Sequence, residues 1–159
     1  MCGFVGQANR EDLCDKEFLI ESSNKLFHRG PDDSGFWLSE DSRVGFAHRR
    51  LSILDLSLSG KQPMLSASKK FSIVFNGEIY NHRDLVKELV ITSKVILRGT
   101  SDTEILLECF EEWGIKKTLK KVIGMFSIAL YDIHNHKLHL IRDRAGEKPL
   151  FYIKKKNNI

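Results

Sequence analysis

Met1-Cys2-Gly3-Phe4-Val5-Gly6 opens the chain, and the reading of this stretch decides the fold. Residues 2–8 are apolar and punctuated by glycine, the pattern of a buried β-strand. In that reading Cys2 is a small apolar side chain at the strand's start. The position also admits a chemical reading. With the initiator methionine removed, one residue carries a thiol and a free α-amino group, the nucleophile and attached base that acyl transfer needs. An α-amino group titrates at roughly 7.7–8.0 and an ordinary thiol near 8.5, so the amine can take the thiol proton near neutrality without a distant histidine. Both readings stand on these residues alone.

Working outward, periodicity predicts a helix over 15–27. Asp15 can cap it, Leu19, Ser22, Ser23, Leu26 and Phe27 recur at helical spacing, and Gly30-Pro31 stops it. Aromatic and branched runs at 35–38, 43–48 and 71–75, separated by Ser, Asp and Gly, predict strands. Helices are expected over 83–90, 103–113 and 115–122, the second with a buried stripe of Leu106, Cys109, Phe110 and Trp113. A strand is expected over 92–97 and another over 150–153. The runs 126–133 and 137–142 flank the polar turn His134-Asn135-His136 and read as a hairpin. Strands and helices do not alternate one for one, so an α+β sandwich is expected rather than a parallel βαβ sheet.

The 159 residues, 42% of them hydrophobic, suffice for one domain with a single core. The net charge of +4 comes with lysines in short groups, Lys116, Lys117, Lys120, Lys121 and then Lys154 to Lys156, which read as solvated faces, so no nucleic-acid partner is expected. No run of 18 apolar residues suggests a membrane span and the N-terminus lacks a secretory pattern; a cytoplasmic protein is expected. Cys2, Cys14 and Cys109 make an odd set without Cys-x-x-Cys spacing, which points to reduced thiols. Asp32, Asp33 and the scattered histidines show no ligand spacing, so no metal is expected.

Further segments concentrate glycine and small polar or charged groups beyond what a core demands. They are His28-Arg29-Gly30-Pro31-Asp32-Asp33-Ser34-Gly35, Arg50-Leu51-Ser52-Ile53, Asn76-Gly77-Glu78-Ile79-Tyr80-Asn81, Gly99-Thr100-Ser101-Asp102, and the run from Arg142 to Leu150. With the cysteine start, these make the chain resemble the glutamine-hydrolysing domain of class II, N-terminal-nucleophile glutamine amidotransferases. Within that group it is most similar to the amino-terminal half of glutamine-dependent asparagine synthetases, and the resemblance runs from Cys2 through Tyr152.

The resemblance implies a four-layer α/β/β/α sandwich of the N-terminal nucleophile hydrolase type. Residues 1–159 would form one amidotransferase domain, lacking the sandwich's last elements and the synthetase domain that relatives carry. It implies that Cys2 attacks the side-chain amide of L-glutamine and that Asn76 and Gly77 hold the oxyanion. Arg50, backbone groups of Leu51, Ser52, Ile53 and Leu54, Glu78 and Asp102 would bind the substrate. No cofactor is implied in this domain; ATP and Mg²⁺ would serve a synthetase domain, in cis or in trans, that takes the ammonia. A homo-oligomer is compatible, and so is a non-catalytic remnant that binds glutamine or docks a partner.

The residues themselves qualify these roles. A guanidinium can grip a carboxylate through two oxygens, but adjacent strand residues face opposite ways, so only one of Arg49 and Arg50 can enter a pocket. Asn76-Gly77 is also the dipeptide of a tight hairpin turn. Asp102 is also a candidate helix cap, although Ser101 and Glu104 already form a capping-box pattern that leaves its carboxylate spare.

Overall fold

The computed structural model describes residues 2–52, 57–92 and 96–155. The elements in chain order are β1 (Gly3–Ala8), α1 (Lys16–Asn24), β2 (Asp33–Leu38), β3 (Val44–Arg50), β4 (Met64–Leu65), β5 (Phe71–Ile79), α2 (His82–Thr92), α3 (Asp102–Trp113), α4 (Ile115–Lys121), β6 (Gly124–Asp132) and β7 (Lys137–Arg142). They form two antiparallel sheets, one in the order β1-β3-β2 and the other β4-β5-β6-β7.

Strand parity builds the layers. On the first sheet Phe4, Ala8, Trp37, Val44 and Phe46 face the second sheet and meet Val74, Ala129 and Tyr131. The alternate residues Val5, Phe36, Leu38 and Ala47 face outward and receive Leu19 of α1 and Cys14. The outer face of the second sheet, with Ile73, Phe75, Ile128 and Leu130, packs on Leu85 and Leu89 of α2 and Leu106 and Phe110 of α3. Helix, sheet, sheet, helix is therefore the order of layers, as expected from the resemblance. Among the described residues no helix is long and apolar enough to cross a membrane.

Asp15 caps α1 as expected, its Oδ1 accepting from Phe18 N at 2.9 Å. The helix ends before 27 because the chain tightens: Leu26 N–H donates to Ser23 O and Arg29 N–H to Leu26 O, three-residue spacings that give a 3₁₀ turn over Phe27–Arg29.

Three expectations are corrected. The strand expected over 92–97 does not appear among its described residues: Thr92 closes α2, Ile96 and Leu97 have no regular structure, and 93–95 lie outside the described residues. Residues 150–153 pair with no described strand, and Phe151 is 90% exposed, so β-like composition without a ladder partner gives no strand. Asn76-Gly77 is not a turn either, for β5 runs straight through both residues, pairing them with Ser127 and Phe126 of β6.

Candidate active site

Cys2, Phe4 and Ala8 share the inward face of the first strand, and His48 and Arg50 extend the same face of β3. Past the end of the short strand β4, the space between the sheets opens as a cavity of about 210 Å³. That is smaller than the ~300 Å³ at which drug-sized ligand pockets begin, and suits a small metabolite. Cys2, Arg50, Leu51, Asn76, Gly77, Glu78 and Asp102 all line it. Elements distant in sequence thus bring together most of the residues expected to act. Ile53 and Leu54 lie outside the described residues. Ser52 does not line the cavity; its N–H donates to Asp32 Oδ2 at 2.8 Å.

The thiol is held by backbone. Leu51 N–H donates to Cys2 Sγ at 3.4 Å, and Sγ lies 3.7 Å from Leu51 O. The other two thiols differ. Burial, with Asp41 nearby, pushes Cys14 up to about 11, and burial, with Glu88 nearby, pushes Cys109 up to about 12. Both stay protonated and inert at neutral pH.

Gly77 N–H faces the cavity edge of β5 by a simple alternation. The facing residue, Phe126, gives its N–H to Asp143 Oδ2 and accepts from Asp143 N, so the Gly77–Phe126 pair is not bonded across the ladder. On the same edge as Gly77, Phe75 N–H donates to Gln62 Oε1 at 2.6 Å and Ile79 N–H to Asp102 Oδ2 at 2.9 Å. Glycine is required here by β6, since a Cβ would fall 2.1 Å from Met125 O. Beside it Asn76 is buried, and its Oδ1 has no hydrogen-bond partner among the described residues. An orphaned buried acceptor costs roughly 1–3 kcal/mol, a cost tolerated where the amide has another task.

Arg50 and Arg49 separate as parity requires. Arg50 is buried in the cavity wall, its Nη1 donating to Ser57 O at 2.8 Å. Arg49 turns to the outer face, where it bonds Asn24 Oδ1 and lies 5.5 Å over the Phe27 ring. At the opposite wall Ser101 caps α3 by accepting from Glu104 N at 3.2 Å. Only half of the expected capping box forms. Glu104 turns its carboxylate to the N–H groups of Arg98 and Gly99 instead. Asp102 is left with one oxygen on Ile79 N–H and a carboxyl that burial raises above the ordinary range, against the pull of that bond and of His82. A desolvated carboxylate at a cavity wall is a place for a cation.

Sequence reasoning missed several contributors. Gln62 and Thr103 line the cavity, and nothing in their spacing marks them. His48 is fully buried, and its Nε2 lies 3.3 Å from Phe75 O, the geometry of an N–H donating to a carbonyl. Burial, reinforced by Arg50, lowers its pKa to about 4. Asp32 and Asp33 act as staples. Asp32 ties 50–52 through its N–H to Arg50 O and its carboxylate to Ser52 N, while Asp33 pairs with Lys61 at 3.3 Å. The run from Arg142 to Leu150 is likewise a scaffold. Asp143 accepts from the N–H groups of Lys148, Glu147 and Phe126; although burial opposes ionisation, these bonds hold its carboxyl at about 2.

Two sheets with helices outside enclose a small cavity with a thiol at the head of the first strand, the arrangement of an amidotransferase domain. The chain belongs to the glutamine amidotransferase domain family, which it matches over residues 1–159. It is 41% identical to asparagine synthetase [glutamine-hydrolyzing] 2 of Bacillus subtilis, over 100% of this chain and 21% of that protein. It is 36% identical to amidase chry2 of Gibberella zeae, over 90% of this chain and 21% of that protein. Among solved structures, glutamine phosphoribosylpyrophosphate amidotransferase of Bacillus subtilis shares the fold with a TM-score of 0.68 at 17% identity, covering 84% of this chain and 35% of that one. The chain thus spans about a fifth of the length of these curated relatives.

Proposed function

We propose that this domain hydrolyses L-glutamine to glutamate and ammonia, with Cys2 as nucleophile and its own α-amino group, freed by removal of Met1, as the proton carrier. The observation that carries the reading is that Cys2 shares one small cavity with Arg50, Asn76, Gly77 and Asp102. The amine takes the Sγ proton, and Sγ attacks the side-chain amide carbon. Asn76 Nδ2 and Gly77 N–H stabilise the oxyanion, an effect worth roughly 2.7–4 kcal/mol per donor. The tetrahedral intermediate collapses as the C–N bond breaks and the amine returns the proton to the leaving ammonia. Water then attacks the thioester, releasing glutamate and restoring the thiol. Arg50 takes the substrate's α-carboxylate, Asp102 its α-ammonium, Glu78 lies alongside, and Leu51 contributes to the cavity wall.

The reading needs no metal or cofactor in this domain. The relatives' greater length supports a synthetase domain, in cis or in trans, that receives the ammonia, with ATP and Mg²⁺ acting there; its acceptor is a carboxylate, aspartate in the asparagine synthetase branch. The unpaired thiols of Cys2, Cys14 and Cys109 support a cytoplasmic setting. The test is glutamate and ammonia release from glutamine by the purified chain, with intact mass establishing loss of Met1. Cys2→Ala is expected to abolish release at unchanged melting temperature. Release that survives in Cys2→Ala, or that proceeds with Met1 still attached, sinks the assignment. Glutamine binding without release, alike in wild type and Cys2→Ala, identifies a non-catalytic module instead.

A further inference from the structure

We propose that Gln62 is a positioning residue that sets the spacing among the oxyanion strand, the ammonium-binding helix and the carboxylate-binding end of β3; this rests on the glutamine-hydrolysis reading above. Gln62 is 5% exposed and lines the cavity, yet no step of the chemistry uses it. Its amide faces two ways. Oε1 accepts from Phe75 N at 2.6 Å, and Nε2 donates to Thr103 Oγ1 at 3.2 Å. Phe75 directly precedes Asn76 and Gly77, and Thr103 directly follows Asp102, so one side chain fixes both walls that meet the substrate.

The third part is fixed through the main chain. Just upstream of Gln62, Ser57 O receives Arg50 Nη1, and Lys61 pairs with Asp33 of β2. Just downstream, Met64 begins β4 against Ile73 of β5. Gln62 O is so close to β2 that a Cβ on Gly35 would lie 1.8 Å from it. The segment is thus clamped to both sheets, and the Gln62 amide is its bond to β5 and α3. A buried amide satisfied on both sides holds its partners more tightly than either pair would be held alone. Sub-ångström placement of binding groups is what rates depend on.

A merely structural role would lower the melting temperature and nothing else, so the test reads recognition in folded protein. Cys2 is alkylated with iodoacetamide, with and without glutamine, and followed by peptide mass, alongside steady-state glutaminase kinetics. In Gln62→Met the expected result is Cys2 alkylation at the wild-type rate without glutamine. The glutamine concentration giving half protection rises tenfold or more, with KM up and kcat down together. Gln62→Glu, which keeps the acceptor for Phe75 N–H, is expected to recover part of the loss. Thr103→Val, which removes only the Nε2 link, is expected to raise half protection about threefold, and it carries the test if Gln62→Met does not fold. Folded variants with wild-type protection and KM, whatever their melting temperatures, overturn the role of Gln62. Wild-type Cys2 that glutamine fails to protect overturns the hydrolysis reading, and this inference with it.

Discussion

The layer between the two sheets is apolar at one end and polar at the other. Toward the β6–β7 hairpin, Phe46 stacks on Trp37 at 5.8 Å, and Val44, Val74, Ala129 and Tyr131 fill the space between. Toward the cavity the same faces of the same strands carry His48, Arg50, Asn76 and Ser127, all buried. There His48 Nδ1, Asn76 Oδ1 and Ser127 Oγ have no hydrogen-bond partner among the described residues. One end lowers the free energy of the fold, while the other raises it, which on the proposed reading keeps Arg50 and Asn76 beside a small molecule. Such a division is the physical form of a trade between stability and activity.

The largest expected effect falls on the apolar end. Phe46 is 1% exposed, and truncating a buried phenylalanine costs about 3–5 kcal/mol. Phe46→Ala should lower the unfolding free energy read from urea titration by that amount while the folded fraction keeps the wild-type KM for glutamine. A shift under about 1 kcal/mol would mean that the apolar end is not what holds the sheets together.

Acid should attack the polar end through His48. Burial lowers its pKa from 6.5 to about 4, so the unfolded chain binds this proton more tightly than the folded one. The stability is whole above about pH 6.5 and is lost as pH falls toward about 4, roughly 3 kcal/mol in all. Urea titrations across that window should show the loss, and His48→Gln should flatten it. An equally steep acid limb in His48→Gln would assign the loss to other groups.

Asp102 has the opposite sign. Burial raises its carboxyl, so holding it ionised at neutral pH works against folding. Asp102→Asn keeps an acceptor for Ile79 N–H and removes the charge. It should leave the melting temperature unchanged or higher without glutamine, while raising KM about 10- to 100-fold, as expected for a lost charge-assisted bond. A fall in stability together with an unchanged KM would make Asp102 a helix-start residue and nothing more.

Side chains that declare their chemistry were legible in the sequence; those that act by reach were not. Cys2, Arg50 and Asp102 carry a thiol, a fork of donors and a spare carboxylate at readable places; parity admitted only one of Arg49 and Arg50 to the cavity, and the family resemblance named Arg50. The capping pattern at Ser101 foretold the start of α3, though not that Glu104 would turn to Arg98 and Gly99. Gln62 was invisible because its importance lies in bridging Phe75 and Thr103, 13 and 41 residues away. Asn76-Gly77 misleads for a related reason. The dipeptide favours a turn locally, but a nine-residue ladder with β6 outweighs it. The run at 150–153 shows the converse, a strand composition with no described neighbour to pair with.

The smallest effect gives the sharpest control. Arg49 and Arg50 are adjacent and chemically identical, yet one meets Asn24 and the Phe27 ring on the outer face and the other lines the cavity. An exposed cation–π contact contributes about 0.5–1 kcal/mol. Arg49→Ala should therefore cost no more than about 1 kcal/mol of stability and leave the glutamine KM alone. Arg50→Ala removes the proposed α-carboxylate partner and should raise KM 10-fold or more, since a hydrogen bond to a charged group is worth about 1.5–3 kcal/mol. The pair isolates direction from charge, because both variants change the net charge equally and differ only in the face they strip. If Arg49→Ala weakens glutamine as much as Arg50→Ala does, the long-range field of the cations, and not the aim of Arg50, draws the substrate in.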